Sequence, residues 1–371
     1  MRILLLNEVC GVTSTGRICA DLAAQLRREG HQVKVAYGRE PVPEDCREGT
    51  VRIGSDWGVR LHGAMTRLGD LHGLCSRGAT RRFLAWAEDF DPELLWMHNL
   101  HGYYLQYELL FQWIKSRPEM QVKWTLHDCW SFTGHCPYFS MIGCDRWQTE
   151  CSHCPQKKRY PASLFRDGSR QNFRRKKAAM TGVKNLTLIT PSQWLKDLVQ
   201  QSFLRDYPVE VVPNPVNREV FRPTPGNFRE KYGLENRFMV LGVGTLWAKH
   251  KGLEDFVALR GMLGEHFAIV LVGLEPKQIA QMPEGILALP RTDSPRELAE
   301  IYTAADLLVS ASKEEVFGMT IAEADACGTP SLVYRGTACE EVALSCGGRA
   351  VEQGPEHLRD EILKMAQEAG K

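Results

Sequence analysis

Short apolar runs recur along the whole chain, and between them lie longer segments with helical spacing. In the first half the runs occupy 2–6, 32–37, 94–98, 122–127, 186–191 and 209–213. In the second they occupy 238–244, 267–272, 286–290, 307–311 and 330–334. A run this short, continuous and rich in Val, Ile and Leu reads as a strand covered on both faces, because a one-sided strand would alternate with polar residues. Strands of that kind separated by helices predict parallel βαβ units, and two series of them predict two doubly wound domains. Asn214-Pro215 and Pro223-Thr-Pro225 break regular structure between the series. The expected division is 1–207 and 208–371, with a cysteine-rich insertion near 129–160 in the first domain.

Composition narrows the class. With 371 residues, 43% of them hydrophobic and 25% charged, the chain can bury two ordinary cores. No run approaches the roughly 20 apolar residues that cross a bilayer. The opening Met1-Arg-Ile-Leu-Leu-Leu-Asn-Glu8 is too short and too soon acidic for a secretory signal, and reads as a first strand. Most of the 12 cysteines are scattered, which fits a reducing cytoplasm better than a disulfide scaffold.

The net charge of +1 conceals an asymmetry: up to Arg205 there are 29 Lys/Arg against 20 Asp/Glu, and afterwards 17 against 25. A basic first half suits peripheral docking on an anionic membrane at its inner face, or on a lipid-diphosphate acceptor. Arg166, Arg170, Arg174, Arg175, Lys176 and Lys177 carry much of the excess. Nucleic acid is not an expected partner.

The richest chemistry lies in Ser312-Lys-Glu-Glu-Val-Phe-Gly-Met-Thr-Ile-Ala-Glu-Ala324, where Glu315 and Glu323 stand eight residues apart. A strand precedes this stretch and a helix opens within it. Such a junction offers unpaired backbone N–H groups, here of Phe317, Gly318, Met319 and Thr320, and a positive dipole end, which suits a diphosphate. The two carboxylates can then accept from hydroxyl-rich groups on either side of it, as in a nucleotide sugar. A plain helix start complemented by glutamates is the other reading of the same pair.

Gly11-Val-Thr-Ser-Thr-Gly16-Arg17-Ile18 has glycines at P-loop spacing after the first strand, but Arg17 and Ile18 replace the Lys and the hydroxyl that such a loop needs. That excludes a P-loop kinase reading and leaves a turn in which backbone at Gly16 approaches a diphosphate or an acceptor. Cys136, Cys144, Cys151 and Cys154 fall within nineteen residues and end in Cys-x-x-Cys. They are candidate ligands of a structural zinc, with reduced thiols or disulfides as the alternatives.

These residues carry a resemblance. The Glu315 to Glu323 segment, its Phe317-Gly318 and the following Ala326-Cys-Gly-Thr-Pro330 resemble the E-x7-E signature of retaining glycosyltransferases of family 4. Val211-Val-Pro-Asn-Pro-Val-Asn-Arg-Glu-Val-Phe-Arg-Pro223, Gly242-Val-Gly-Thr-Leu-Trp-Ala-Lys-His-Lys-Gly-Leu253 and Arg291-Thr-Asp293 follow the same family's order. Ser14-Thr-Gly-Arg-Ile18, His98-Asn-Leu-His-Gly-Tyr-Tyr104 and Thr125-Leu-His-Asp-Cys-Trp-Ser-Phe-Thr-Gly134 are similar to its colanic-acid and exopolysaccharide branch.

The resemblance implies the GT-B fold, two facing Rossmann-like domains with a cleft between them. It implies transfer of a hexose from a nucleoside-diphosphate sugar to a saccharide acceptor, expected to be lipid-linked, with no catalytic cofactor. It further implies that Glu315 holds sugar hydroxyls, Glu323 the ribose, Lys251 the departing diphosphate, and His127 the transferred sugar, with Arg291, Thr245 and Gly16 on the donor side and His98 and His101 on the acceptor side. Asp128 is expected to orient His127. Thr245 stands near the family's usual arginine, and the crossover helix that usually follows the second domain reads as shortened. Both departures favour the alternative of a non-catalytic sugar-nucleotide-binding or polysaccharide-assembly protein.

Overall fold

A computed structural model of the chain describes residues 1–244 and 247–370. The first compact unit is Met1–Pro213 and the second Asn214–Lys371. Among the described residues no helix is long and apolar enough to cross a membrane.

The first unit carries strands β1 (Arg2–Leu6), β2 (Gln32–Tyr37), β3 (Thr50–Arg52), β4 (Leu94–Met97), β5 (Gln121–Thr125), β6 (Leu186–Thr190) and β7 (Val209–Val211). Its helices are α1 (Thr13–Arg28), α2 (Asp56–Gly69), α3 (Arg77–Phe90), α4 (Tyr107–Lys115), α5 (Ser169–Met180) and α6 (Gln193–Gln200). All pairs are parallel, in the order β3-β2-β1-β4-β5-β6-β7. This unit extends past the expected boundary at 207 because β7 completes the sheet by pairing with β6. Helix α1 shows why the pattern works: Cys19, Ala23 and Leu26 recur at helical spacing and close over Ile3, Leu5, Val33 and Val35 of the sheet.

The second unit carries β8 (Phe238–Val243), β9 (Phe267–Val272), β10 (Ile286–Leu289), β11 (Leu307–Ser310), β12 (Ser331–Tyr334) and β13 (Arg349–Val351). Its helices are α7 (Phe228–Tyr232), α8 (Leu253–Met262), α9 (Pro276–Ile279), α10 (Pro295–Ala304), α11 (Met319–Ala326), α12 (Ala338–Ser345) and α13 (Pro355–Glu368). The parallel order among the described residues is β10-β9-β8-β11-β12-β13. Alternate residues of one strand serve opposite cores. Met239, Leu241, Val270 and Val272 face Tyr302, Phe317 and Ile321, whereas Phe238, Val240, Ile269 and Leu271 face Phe256, Leu259, Leu358 and Ile362. Burial on both faces is what produced the unbroken apolar runs.

Strands β3 and β13 escape the sequence pattern. Each has three residues, sits at a sheet edge and buries none of them fully, so no apolar run marks it.

The basic run on α5 departs from expectation at Lys176. Arg170 and Arg174 pair with Glu150, and Arg175 pairs with Glu108. Lys176 is buried: its ammonium donates to the carbonyls of Trp130 at 2.6 Å and Thr133 at 3.0 Å and lies 3.5 Å from the Trp130 ring centre. Helix spacing turns Lys176 inward while its neighbours face out, so one member of the run is an internal tie and the arginines stay at the surface in ion pairs.

We expect Lys176→Met to destabilise the protein by about 2 kcal/mol, because two buried carbonyls lose their donor while the volume stays similar. Burial also pushes the Lys176 pKa down to about 7. The unfolded chain then binds more protons than the native one from that pH up to the ordinary lysine range, so stability rises with pH across that window. Urea unfolding between pH 7 and 10 measures both effects. An unchanged midpoint and pH slope in the variant would remove the assignment.

Candidate active site

In a doubly wound parallel sheet, ligands collect beyond the carboxyl ends of the strands, where the winding reverses direction. In the second unit that reversal lies between β8 and β11, since β8 pairs with β9 on one side and β11 on the other. Lys251 follows β8, in the 3-10 turn Lys249–Lys251, and Glu315 follows β11. Their side chains form an ion pair, with Lys251 29% and Glu315 19% exposed. Burial works against the ammonium, but the charge and hydrogen bond of Glu315 outweigh it and hold the Lys251 pKa above the ordinary lysine value.

The approach of these two loops depends on Gly252. It has φ +73°, and a Cβ there would lie 2.4 Å from the Ala311 carbonyl oxygen. The backbone N–H of Lys313 donates to the carbonyl of His250 at 2.7 Å, and the Lys313 ammonium pairs with Asp255 at 2.9 Å. The two loops are thereby stitched together on either side of the Lys251–Glu315 pair.

Glu315 also accepts from the Val316 N–H at 3.3 Å. Phe317 is buried in the sheet core, and Gly318, at φ +88°, turns the chain into α11. Met319 and Thr320 therefore stand at the helix start, as the spacing predicted. Glu323 lies one turn on, where the Tyr302 hydroxyl donates to it at 3.0 Å. Arg291 is exposed just beyond the end of β10, on the same edge of the sheet. Thr245 lies outside the described residues.

The first unit repeats the arrangement with different chemistry. Its reversal lies between β1 and β4. Beyond the ends of β4 and β5, His98 and His127 stack at 5.3 Å between ring centres, with His98 Nδ1 3.0 Å from His127 Nε2. Burial pushes the pKa of His127 down to about 4 and that of His98 well below the usual histidine value. Both rings are neutral at pH 7, and one N–H is shared between them. Asp128 does not orient His127. Its carboxylate holds His101 instead, at 2.7 Å from Nε2, because successive side chains leaving an extended strand point to opposite sides. The Tyr160 hydroxyl meets His101 Nδ1 at 3.1 Å. Burial disfavours charge on His101, yet Asp128, by charge and hydrogen bond, and Glu8 raise its pKa above the ordinary value.

Glu8, two residues beyond the end of β1, is a residue that the sequence pattern did not single out. Burial raises its carboxyl pKa against the pull of His101 and Arg39, and a Cβ at Gly102 would lie 2.2 Å from its Oε2. Its signal was present as an acid two residues beyond the apolar Ile3–Leu6 run of β1. Gly16 is buried within α1, where a Cβ would come within 2.9 Å of a Val9 methyl, so packing disfavours a larger residue there.

Cys136, Cys144, Cys151 and Cys154 line one small cavity with Trp147 and Phe139. Cys136 and Cys154 share a thiol hydrogen bond. Among the described residues, however, no group of three or more His, Cys, Asp or Glu is placed to hold a metal ion. Aromatic packing also builds the insertion: Phe139 stacks on Trp147 at 4.7 Å, and Phe132 meets Trp147 at 5.4 Å. Aromatic packing of that kind helps to order the segment around which the thiols lie.

Residues 15–220 match the family model described as Glycosyltransferase Family 4, and residues 237–368 match Glycosyl transferases group 1. The chain is 32% identical over 197 residues to the alpha-galactosylglucosyldiacylglycerol synthase of Streptococcus pneumoniae, a stretch covering 49% of this chain and 51% of that protein. It is 25% identical over 292 residues to the putative colanic acid biosynthesis glycosyl transferase WcaC of Escherichia coli, covering 74% of this chain and 66% of that one. The matched stretches thus span about half to two thirds of these relatives. Among solved structures, Anabaena HepE in complex with UDP and glucose superposes with a TM-score of 0.66 at 15% identity, covering 100% of this chain and 91% of that one. At that identity the likeness concerns the fold, and the fold is GT-B, built from two parallel-sheet Rossmann-like domains.

Proposed function

The chain belongs to glycosyltransferase family 4, and on that premise we propose that it transfers a hexose, with retention, from a nucleoside-diphosphate sugar to a saccharide acceptor in cell-surface polysaccharide synthesis. The observation that carries this reading is the Lys251–Glu315 pair at the winding reversal of the second sheet. An ammonium held beside a glycine turn and a helix start concentrates positive charge where a nucleoside diphosphate would depart, and charge that meets the transition state lowers the barrier.

In this reading Glu315 takes the hydroxyls of the sugar and Glu323 the ribose, while Arg291 and the N–H groups of 317–320 surround the diphosphate. Thr245 and Gly16 remain donor-side candidates. The neutral His98–His127 pair can donate to or accept from a sugar hydroxyl without bringing a charge, and His101, with Asp128 and Glu8, lies on the acceptor side. No carboxylate is assigned as nucleophile. The acceptor hydroxyl attacks the face from which the phosphate leaves: the new C–O bond forms as the old one breaks, and the departing phosphate takes the hydroxyl proton.

The UDP and glucose named with HepE support a nucleotide-sugar donor. The name of the pneumococcal relative, a synthase of a glycosylated diacylglycerol, supports a lipid-linked acceptor and peripheral work at the inner face of a membrane. A thermal-shift screen of nucleotide sugars, followed by donor cleavage in EDTA, tests the reading. We expect a rise of several degrees with one donor, as ligand excess over Kd requires, and cleavage that survives chelation, since Lys251 and the α11 start supply the positive charge. A screen without any shift and a preparation without cleavage would overturn it.

A further inference from the structure

Helix α2 is amphipathic in the reverse sense. Its inward face carries His62, Gly63 and Thr66, all buried. His62 is satisfied there, with Nδ1 2.9 Å from the Ser76 hydroxyl and Nε2 accepting the Gly73 N–H at 3.0 Å. The outward face carries Trp57, Leu61, Met65 and Leu68, which are 78, 60, 38 and 54% exposed. That spacing lays the four on one stripe of a helix, and here the stripe faces away from the core.

A second segment extends the stripe. The N–H of Leu164 donates to the Arg67 carbonyl at 2.8 Å, which fixes the loop beside the end of α2. Leu164 and Phe165 are 53 and 73% exposed. Exposed aromatic and aliphatic side chains gathered this way mark an interaction surface, because scattered single ones would be ordinary but a contiguous set is not.

Charge indicates what covers it. Arg60 and Arg67 are exposed along one border of the stripe. On α3, Arg82 lines a groove of ≈ 440 Å³ together with Leu61 and Met65. The only carboxylate of α2, Asp56, is already paired with Arg52. An apolar stripe edged by arginines complements an anionic bilayer surface, whose phosphates meet the guanidinium groups while the rings enter the acyl boundary. A protein partner would have to supply an apolar face with matching acidic residues, and nothing in the fold selects one.

We propose that α2 and the Leu164–Phe165 loop seat this protein on anionic lipid, in place of the α5 run, whose Arg170, Arg174 and Arg175 are paired with carboxylates. This deepens the lipid-linked reading of the acceptor, yet the test is separate from donor chemistry. Flotation is measured with vesicles of phosphatidylcholine alone and with one part in three phosphatidylglycerol. We expect salt-sensitive binding to the anionic vesicles. The exposed pair Trp57→Ser with Phe165→Ser should reduce it about tenfold or more, and Arg60→Glu with Arg67→Glu by a similar factor. Arg170→Glu with Arg174→Glu should leave it unchanged.

Should the serine variant fail to fold, quenching of wild-type tryptophan emission by brominated lipid in the anionic vesicles decides the same point. Wild-type protein that ignores anionic vesicles, or a serine variant that binds as wild type, overturns the proposal. So does a serine variant whose only change is a smaller sedimentation coefficient without lipid, which would mean a second copy covers the stripe. A donor thermal shift that persists beside absent vesicle binding discards this surface alone and leaves the transferase reading standing.

Discussion

Lys251→Ala is expected to lower the rate of sugar transfer by about two to three orders of magnitude, the loss that follows removal of one preorganised stabiliser of transition-state charge. The ammonium is in place before any donor arrives, fixed by Glu315 and by the Gly252 turn, so little reorganisation is needed at the moment the diphosphate leaves. Its raised pKa means that the charge persists throughout the physiological range and is lost only on the alkaline side of the ordinary lysine value. Stopped assays of kcat with saturating donor measure the effect. Donor affinity should change far less, because the charge being stabilised develops during departure. Transfer within a few-fold of wild type would show that Lys251 is only a partner of Glu315.

Glu315→Gln should produce the second largest loss, about tenfold to a hundredfold in kcat with a much smaller change in donor affinity. The amide keeps the shape but cannot hold the Lys251 ammonium by charge, so the variant damages both members of the pair. The double variant Lys251→Ala, Glu315→Gln should therefore be little worse than Lys251→Ala alone, since groups that act as a unit are not additive. Glu323→Ala, which removes a carboxylate held by Tyr302, should instead raise KM about tenfold with kcat nearly preserved, the pattern of binding lost equally from ground and transition states. Equal kcat losses at Glu315 and Glu323, or additive losses at Lys251 and Glu315, would separate the observed pair from its proposed work.

Much of the second domain's edge is legible in the sequence. Strands covered on both faces appear as unbroken apolar runs, and the strand, glycine turn and helix around Phe317 and Gly318 follow from local rules that act within a dozen residues. Lys251 and Glu315 each stand out in the sequence, but as holders of different parts of a donor. Their direct pairing joins positions far apart in sequence through the adjacency of β8 and β11, and no local pattern encodes which strands become neighbours.

The histidines of the first domain show the same limit. Chain neighbours suggest Asp128 for His127, whereas alternation at a strand end gives Asp128 to His101 and leaves His127 to His98. Lys176 and the α2 stripe show a related limit: charge and hydropathy are properties of residues, but exposure is a property of the packed surface. Lys176 reads as one more surface cation until Trp130 and Thr133 close around it. Trp57, Leu61, Met65 and Leu68 are left to solvent because His62 and Thr66 occupy the inside of α2. By itself the sequence determined the two series of parallel strands, the boundary region and the residue types available at each strand end, because periodicity and turn chemistry are short-range. Which charges meet, which are buried and which apolar face is left to solvent was decided only in the tertiary structure, where the winding order brings distant strand ends together and desolvation selects the groups that pair.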